Sequence, residues 1–313
     1  MPTRRTSRAQ GIDGELVMTI LLQLIVSGAA LGMIYAVIAF GYQSTYATSG
    51  TLNFGQGEAL MLGAMTGLSL TGNILGGPYV PYVLMVPLVL LFGALQGVLV
   101  EFVAVRPALR SHSEFGWIMS TIALGIILRN VAENFWGRDE VPFPSPLPTE
   151  PLRVLGARVL PMELAVMAGA LFLMLLIEGF NRRTLYGKAV VATASDRGAA
   201  GLMGIHTQGV IVFSYALSSM TAAFAGVLIA PLTAPGPTMG AVLGLKAFAV
   251  AIIGGLTSGM GAVVGGLVLG IAETTTGFYW STGYKDVPGL VLLLLVLAWK
   301  PNGLFGRTQV QKV

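Results

Sequence analysis

"IIGGLTSGMGAVVGGLVLG" (residues 252–270) decides how many times this chain crosses a lipid layer. Its flanks are apolar, so residues 243–275 form one hydrophobic run with glycines gathered at its middle. That is longer than the roughly 20 helical residues one crossing needs. Charge settles the parity. "NRRTLYGKAVVATASDRG" (181–198) precedes the run, and Lys300, Arg307 and Lys312 follow it. Lys and Arg gather on the cytoplasmic side of a membrane, so an even number of crossings must separate these two regions. Segments 207–230 and 287–300 supply two. Residues 243–275 must then supply two more, or dip in and return. The expected form is a short helix near 243–255, a turn at Gly254 to Gly261, and a second helix near 262–276. Lipid tolerates such a break only where protein or a water-filled cavity satisfies the freed backbone groups.

The remaining spans lie at 16–40, 59–75, 82–105, 115–135 and 160–180. Of the 313 residues, 54% are hydrophobic and only 10% charged, against about 25% charged in a soluble protein. The expected fold is therefore all-α: a polytopic membrane protein of eight to nine transmembrane helical elements with glycine-broken segments, one domain over 1–313. "RPALR" (106–110) and the loop 181–206 face the cytoplasm by their charge. The stretch 136–160, with five prolines, then lies outside as an extended loop. The same counting places the N-terminus outside despite Arg4, Arg5 and Arg8, or else gives residues 16–57 an extra excursion. The apolar run behind "MPTRRTSRAQGIDGE" is too long for a signal-peptide core, so it reads as a retained span.

Several classes of function are excluded. There is no cysteine, and the two histidines, His112 and His206, sit far apart in polar connections, so no metal site is expected. No nucleophile–base constellation argues for an enzyme. The basic residues lie in short connections and do not form a stripe interleaved with aromatics, so no nucleic acid is expected as partner. No G-x-x-x-x-G-K-[ST] loop is present to cradle nucleotide phosphates.

A second break resembles the first. "GTLNFGQGEALMLGAMTG" (50–67) also sets a loosened turn before an apolar helix rich in small residues. Paired interrupted segments point to a transport path, although small residues also serve close helix packing. Polar groups at membrane depth are expensive and functional. Asn53, Gln56 and Glu58, with Gly254 and Gly255, are the candidate path residues. Other charges read more plainly. Arg129 and Glu133, like Glu178 and Arg182, are spaced i, i+4 and read as structural pairs. Glu101 is expected to partner Arg106 or Arg110. Lys246 and Glu273 bracket the broken segment and either line the path or mark an interface. Lys285 and Asp286 are candidate docking contacts on the outer face.

The quoted stretches resemble a known family. "NFGQGEALMLGA" (53–64) is similar to the N-F-x-x-G-E-x-x-M-x-G pattern in membrane subunits of branched-chain (hydrophobic) amino-acid ABC importers. The likeness continues in "EFVAVRPALR" (101–110), in 186–228, in 247–273 and in "WKPNGLFG" (299–306), and covers about residues 16 to 306. It looks like the shorter of the two permease types. The resemblance implies a bacterial inner-membrane, multi-pass permease working by alternating access. It implies four partner subunits besides the lipid bilayer: a second related permease, two cytoplasmic ATPases and a periplasmic binding protein. This chain would hold no cofactor, and ATP would be used by its partners. The binding protein would carry selectivity, leaving few dedicated substrate contacts here. Similar permeases serve urea and short amides. The rival class is a self-sufficient ion-coupled transporter or channel, with Glu58 as its coupling site.

The resemblance also implies a coupling helix at D-x-x-A-x-L-x-G-I, matched with slight variation, one extra residue before the Leu, within "SDRGAAGLMGI" (195–205). Its candidates are Asp196, Arg197, Ala199, Leu202 and Gly204. Ser195 or Asp196 can cap the helix start, Gly204 fits the C-terminal cap, and Leu202 with Met203 offers an apolar anchor. Gly198 and Gly201 each cost up to about 1 kcal/mol relative to alanine, so docking would help order the helix.

Overall fold

A computed structural model of the chain describes residues 4–72, 79–111, 115–154 and 157–306, with side chains from Met18 onward. His112, Arg307 and Lys312, and the side chains of Arg4, Arg5 and Arg8, lie outside the described residues. The first helix, α1 (Arg4–Ser49), is followed by α2 (Gln56–Leu70). Next comes α3 (Tyr82–Val100), which continues through one π turn (Glu101–Val105) into α4 (Arg106–Arg110). After α5 (Gly116–Trp136), two short strands, β1 (Leu152–Val154) and β2 (Ala157–Val159), pair antiparallel with Leu152 opposite Val159. The second half runs α6 (Pro161–Arg183), α7 (Leu185–Ser195), α8 (Arg197–Leu202), α9 (Thr207–Ile229), α10 (Met239–Gly254), α11 (Gly259–Tyr279) and α12 (Val287–Trp299).

Among the described residues, six helical stretches are long and apolar enough to cross a membrane: 18–49, 82–110, 161–183, 207–229, 259–279 and 282–299. The shorter α2 and α10 and the more polar α5 pack beside them. The glycine-rich segment is two antiparallel helices: a Cβ at Gly261 would strike the Gly254 backbone, and one at Gly265 would crowd Val250 and Gly254. The turn between them is shorter than the sequence suggested, since α11 already begins at Gly259.

The two broken hairpins interlock. The long arms, α1 and α11, cross antiparallel where a Cβ on Gly32 would collide with Gly266 and one on Gly28 with Gly270. The short arms, α2 and α10, cross where Gly57 meets Gly240 and Gly244. Lipid gives no hydrophobic drive for helices to associate, so close backbone approach and dense packing hold them. Helix α9 lies against both arms of the first hairpin, parallel to α2, and is buried along most of its length. The largest fully buried side chains, Tyr35, Tyr42 and Tyr215 among them, sit around this junction. By contrast α3, α5, α6 and α12 carry rows of exposed Leu, Ile, Val and Phe.

The directions agree with one another. Trp136 Nε1 donates to Ser69 Oγ at 2.6 Å, so α2 and α5 end at the same level. The start of α1 lies at that end too, where Ser27 Oγ donates to Glu163 Oε1 and Thr274 to the Leu24 carbonyl. The basic termini of α4 and α6, with α7 and α8, gather at the opposite end. Several boundaries differ from expectation: α1 begins at Arg4 and not 16, α2 runs Gln56–Leu70 and not 59–75, and α10 begins at Met239 and not 243. Helix α1 runs nine residues past Phe40, and the 136–160 loop contains the β1–β2 hairpin.

Candidate functional site

The first break is built around its own polar residues. Gly50 turns the chain with φ +70°. Thr51 Oγ1 shares a hydrogen bond with Tyr215 Oη at 2.7 Å. Asn53 closes the next turn by accepting the Gly55 N–H on Oδ1 at 3.0 Å and the Gln56 N–H on its carbonyl at 3.0 Å. Gln56 then locks α2 onto α9: Nε2 donates to the Ser218 carbonyl at 2.8 Å, and Oε1 lies 3.0 Å from Ser218 Oγ and 3.4 Å from Asn53 Nδ2. Both amides are wholly buried. They are spent on holding the break and do not line open space.

Glu58 differs. It is the acidic residue of the first turn of α2, where a carboxylate complements the helix dipole. Its side chain makes no hydrogen bond among the described residues, and Oε2 is sealed and unpartnered. It faces a cavity of about 220 Å³ between α2, α5 and α10. Phe54, Phe248, Ile122, Ile126 and Leu245 give this cavity apolar walls, and Arg129 lines it too. The glycines explain the opening. Gly57 and Gly244 let the short arms touch, and a Cβ on Gly125 would rest 3.4 Å from Glu58 Cγ. Arg129 is one helical turn beyond Gly125 and so on the same face of α5. Its Nε donates to Glu133 Oε1 at 3.1 Å, as the i, i+4 spacing suggested. Spacing alone could not reveal that Arg129 also borders Glu58, because that depends on how α5 meets α2.

Gly254 and Gly255 lie elsewhere. Gly255 has φ +96°, open to glycine alone at no strain. The carbonyls freed there are satisfied by protein. Leu304 N–H donates to Ile253 at 2.8 Å and Phe305 N–H to Gly254 at 3.2 Å, while Gln43 Nε2 reaches the Gly255 and Ser258 carbonyls, both at 3.0 Å. Neither glycine borders the Glu58 cavity. The structure thus brings Asn53, Gln56 and Glu58 together and leaves the second glycine pair under the 302–306 strap.

The other charges resolve into pairs. Glu101, 1% exposed, takes Arg106 on both oxygens at 3.1 and 2.9 Å and also accepts from Gln208 at 2.6 Å. Arg182 pairs with Glu178 at 2.6 Å. Lys246 bridges Glu273 at 3.0 Å and Asp286 at 2.7 Å, and Tyr35 Oη donates to Glu273 at 2.8 Å. This cluster ties α1, α10 and α11 to the start of α12. His206 accepts the Gly209 N–H on Nδ1 at 3.1 Å, and no group of three potential metal ligands occurs among the described residues.

At the basic end, Asp196 caps α8, its Oδ1 accepting the Ala199 N–H at 2.9 Å. Gly204 closes the helix with φ +85°, and Ile205 N–H returns to the Ala200 carbonyl at 3.1 Å. Arg197 and Ala199 face outward, and Ala200 packs inward. Leu202 and Met203 are 92% and 83% exposed, two adjacent apolar side chains standing clear of the bundle. Nothing would meet a Cβ on Gly201, so the glycines here do not serve packing within the chain.

A multi-helix bundle with two interlocked breaks, a charged cavity beside one of them and a projecting knob at its basic end has the build of a membrane permease. Residues 24–297 match the family described as "Branched-chain amino acid transport system / permease component". The chain belongs to that family. It is 33% identical over 308 residues to the high-affinity branched-chain amino acid transport system permease protein LivH of Salmonella typhimurium, covering 93% of this chain and 97% of that one. Escherichia coli K12 LivH is 33% identical over 305 residues, with the same coverage. The corresponding permease BraD of Pseudomonas aeruginosa is 32% identical over 302 residues, 93% of this chain and 98% of BraD. No solved structure matches the chain.

Proposed function

We propose that this chain carries branched-chain or other hydrophobic amino acids across a bacterial inner membrane as one permease of an ABC importer. A periplasmic binding protein delivers the solute, a second related permease completes the path, and two separate ATPases supply the energy from ATP. The family match over residues 24–297 carries this reading. The path runs beside the first break. Glu58 borders it, while Asn53 and Gln56 fix its shape from behind. Gly254 and Gly255, at the second break, are the other candidate path residues. Helix α8 is the coupling element. Its cap and exposed Leu202–Met203 knob suit a groove on a cytoplasmic ATPase, and residues 181–206 are then the cytoplasmic loop.

The test is uptake by proteoliposomes. Chain reconstituted with its co-encoded neighbours should accumulate leucine only with ATP and binding protein. Uptake by this polypeptide alone, driven by an ion gradient, would refute the reading in favour of a self-sufficient transporter. Uptake of urea or short amides in place of leucine would move the substrate class.

A further inference from the structure

We propose that the cavity between α2, α5 and α10 is a binding subsite for the zwitterionic head of a free α-amino acid, the Glu58 carboxylate taking the ammonium and the Arg129 guanidinium the carboxylate. This deepens the reading above and rests on it. Four observations carry it. Glu58 is 7% exposed, yet Oε2 has no partner. Buried polar atoms without partners are rare in native proteins, and each calls for a reason. Arg129 uses only Nε, toward Glu133, and its two terminal nitrogens make no hydrogen bond among the described residues. A guanidinium fork is the side-chain group best matched to a carboxylate.

The two charges do not pair with each other among the described residues, although they border the same cavity from neighbouring helices. Arg129 is turned along α5 to Glu133, which is shared with Arg138 at 3.2 Å. An acceptor and a donor that border one cavity without pairing are what a solute with both charges on one carbon requires. The remaining wall is apolar: Phe54, Phe248, Ile126 and Leu245. The volume, about 220 Å³, corresponds to about seven waters at the liquid's roughly 30 Å³ each. That suits a small amino acid better than a single ion. A bare cation site would be opposed by the nearby guanidinium, and urea would satisfy neither charge.

Because the chain has no cysteine, one introduced thiol reports on the cavity. Ala241 lines it and is exposed. The experiment uses Ala241→Cys in the assembled importer without binding protein or nucleotide, and follows mixed-disulfide formation on this chain with a small methanethiosulfonate, which leaves as methanesulfinate. Leucine at about ten times its dissociation constant should slow labelling about tenfold. Leucinamide, lacking the carboxylate, and 4-methylpentanoate, lacking the ammonium, should not. Glu58→Gln and Arg129→Gln should each abolish the protection by leucine, and Ile126→Trp, which fills the cavity without removing either charge, should do so too. No protection by leucine, equal protection by all three solutes, protection by sodium, or protection retained in Glu58→Gln would each overturn the subsite. If leucine uptake by the complete system survives any of these failures, the family-level reading stands and only the subsite falls. If the complete wild-type system carries no hydrophobic amino acid, the reading beneath it falls as well.

Discussion

Replacing Gln56 by leucine tests the claim that the first break is held by its amides. The side chain is wholly buried, and leucine has a similar volume, so packing changes little. What changes is the polar accounting. Asn53 Nδ2 loses its side-chain acceptor, and an orphaned buried donor costs about 1–3 kcal/mol. The bond from Nε2 to the Ser218 carbonyl is also lost, but that carbonyl keeps Thr221 Oγ1 at 2.6 Å, so this adds about 1 kcal/mol. After the apolar gain from leucine, the expected loss is about 2–3 kcal/mol. Ser218→Ala should be milder, about 1 kcal/mol, because Gln56 Oε1 keeps Asn53. The double variant should lose less than the sum, since the two residues share bonds. The assay is unfolding in mixed detergent micelles followed by tryptophan emission. Trp117 stacks on Phe54 at 6.2 Å and so reports on this region. If Gln56→Leu lies within about 0.5 kcal/mol of wild type, or Ser218→Ala is as damaging, the amides are not what holds the break.

Two further outcomes follow from the buried contacts. Lys246→Met strands Glu273, 3% exposed with Oε1 already unpartnered, and should cost about 3–5 kcal/mol in the same unfolding assay. Pairing it with Glu273→Met should recover part of that loss, the remainder being the acceptor taken from buried Tyr35 Oη, whereas no recovery would mean the cluster is not an energetic unit. Ending the chain before Asn302 removes the donors to the Ile253 and Gly254 carbonyls. It should speed proteolysis at residues 255–258 while leaving cleavage of the 136–160 loop unchanged.

Much of the architecture could be read from charge and hydropathy. Counting crossings between the basic regions required residues 243–275 to pass twice or turn back, and α10 with α11 supplies the broken pair of helices that either route needs. The end of α1 was not legible, because "GYQSTYATS" (41–49) looks like a polar link. It stays helical since Thr45, Thr48 and Ser49 bond back to carbonyls three or four residues earlier, at 3.0, 3.1 and 2.7 Å, and hide their own polarity. The β1–β2 hairpin escaped because prolines dominate the loop around it. Asn53, Gln56 and Glu58 stood out as polar residues in an apolar setting, but their division of labour did not. Only the position of Ser218 on α9 shows that the amides are consumed and the carboxyl is left over. Arg129 read as half of a local pair, because its second neighbour comes from a helix far away in sequence.

The most direct measurement is crosslinking from the α8 knob. Leu202→Cys places the only cysteine of the chain on a side chain that is 92% exposed. In membranes containing the whole transporter it should crosslink to an ATPase subunit, change efficiency when ATP is added, and resist impermeant thiol reagents applied from outside intact cells. Labelling of that position from the outside, or no crosslink to any ATPase under conditions of active uptake, would contradict an importer driven through α8.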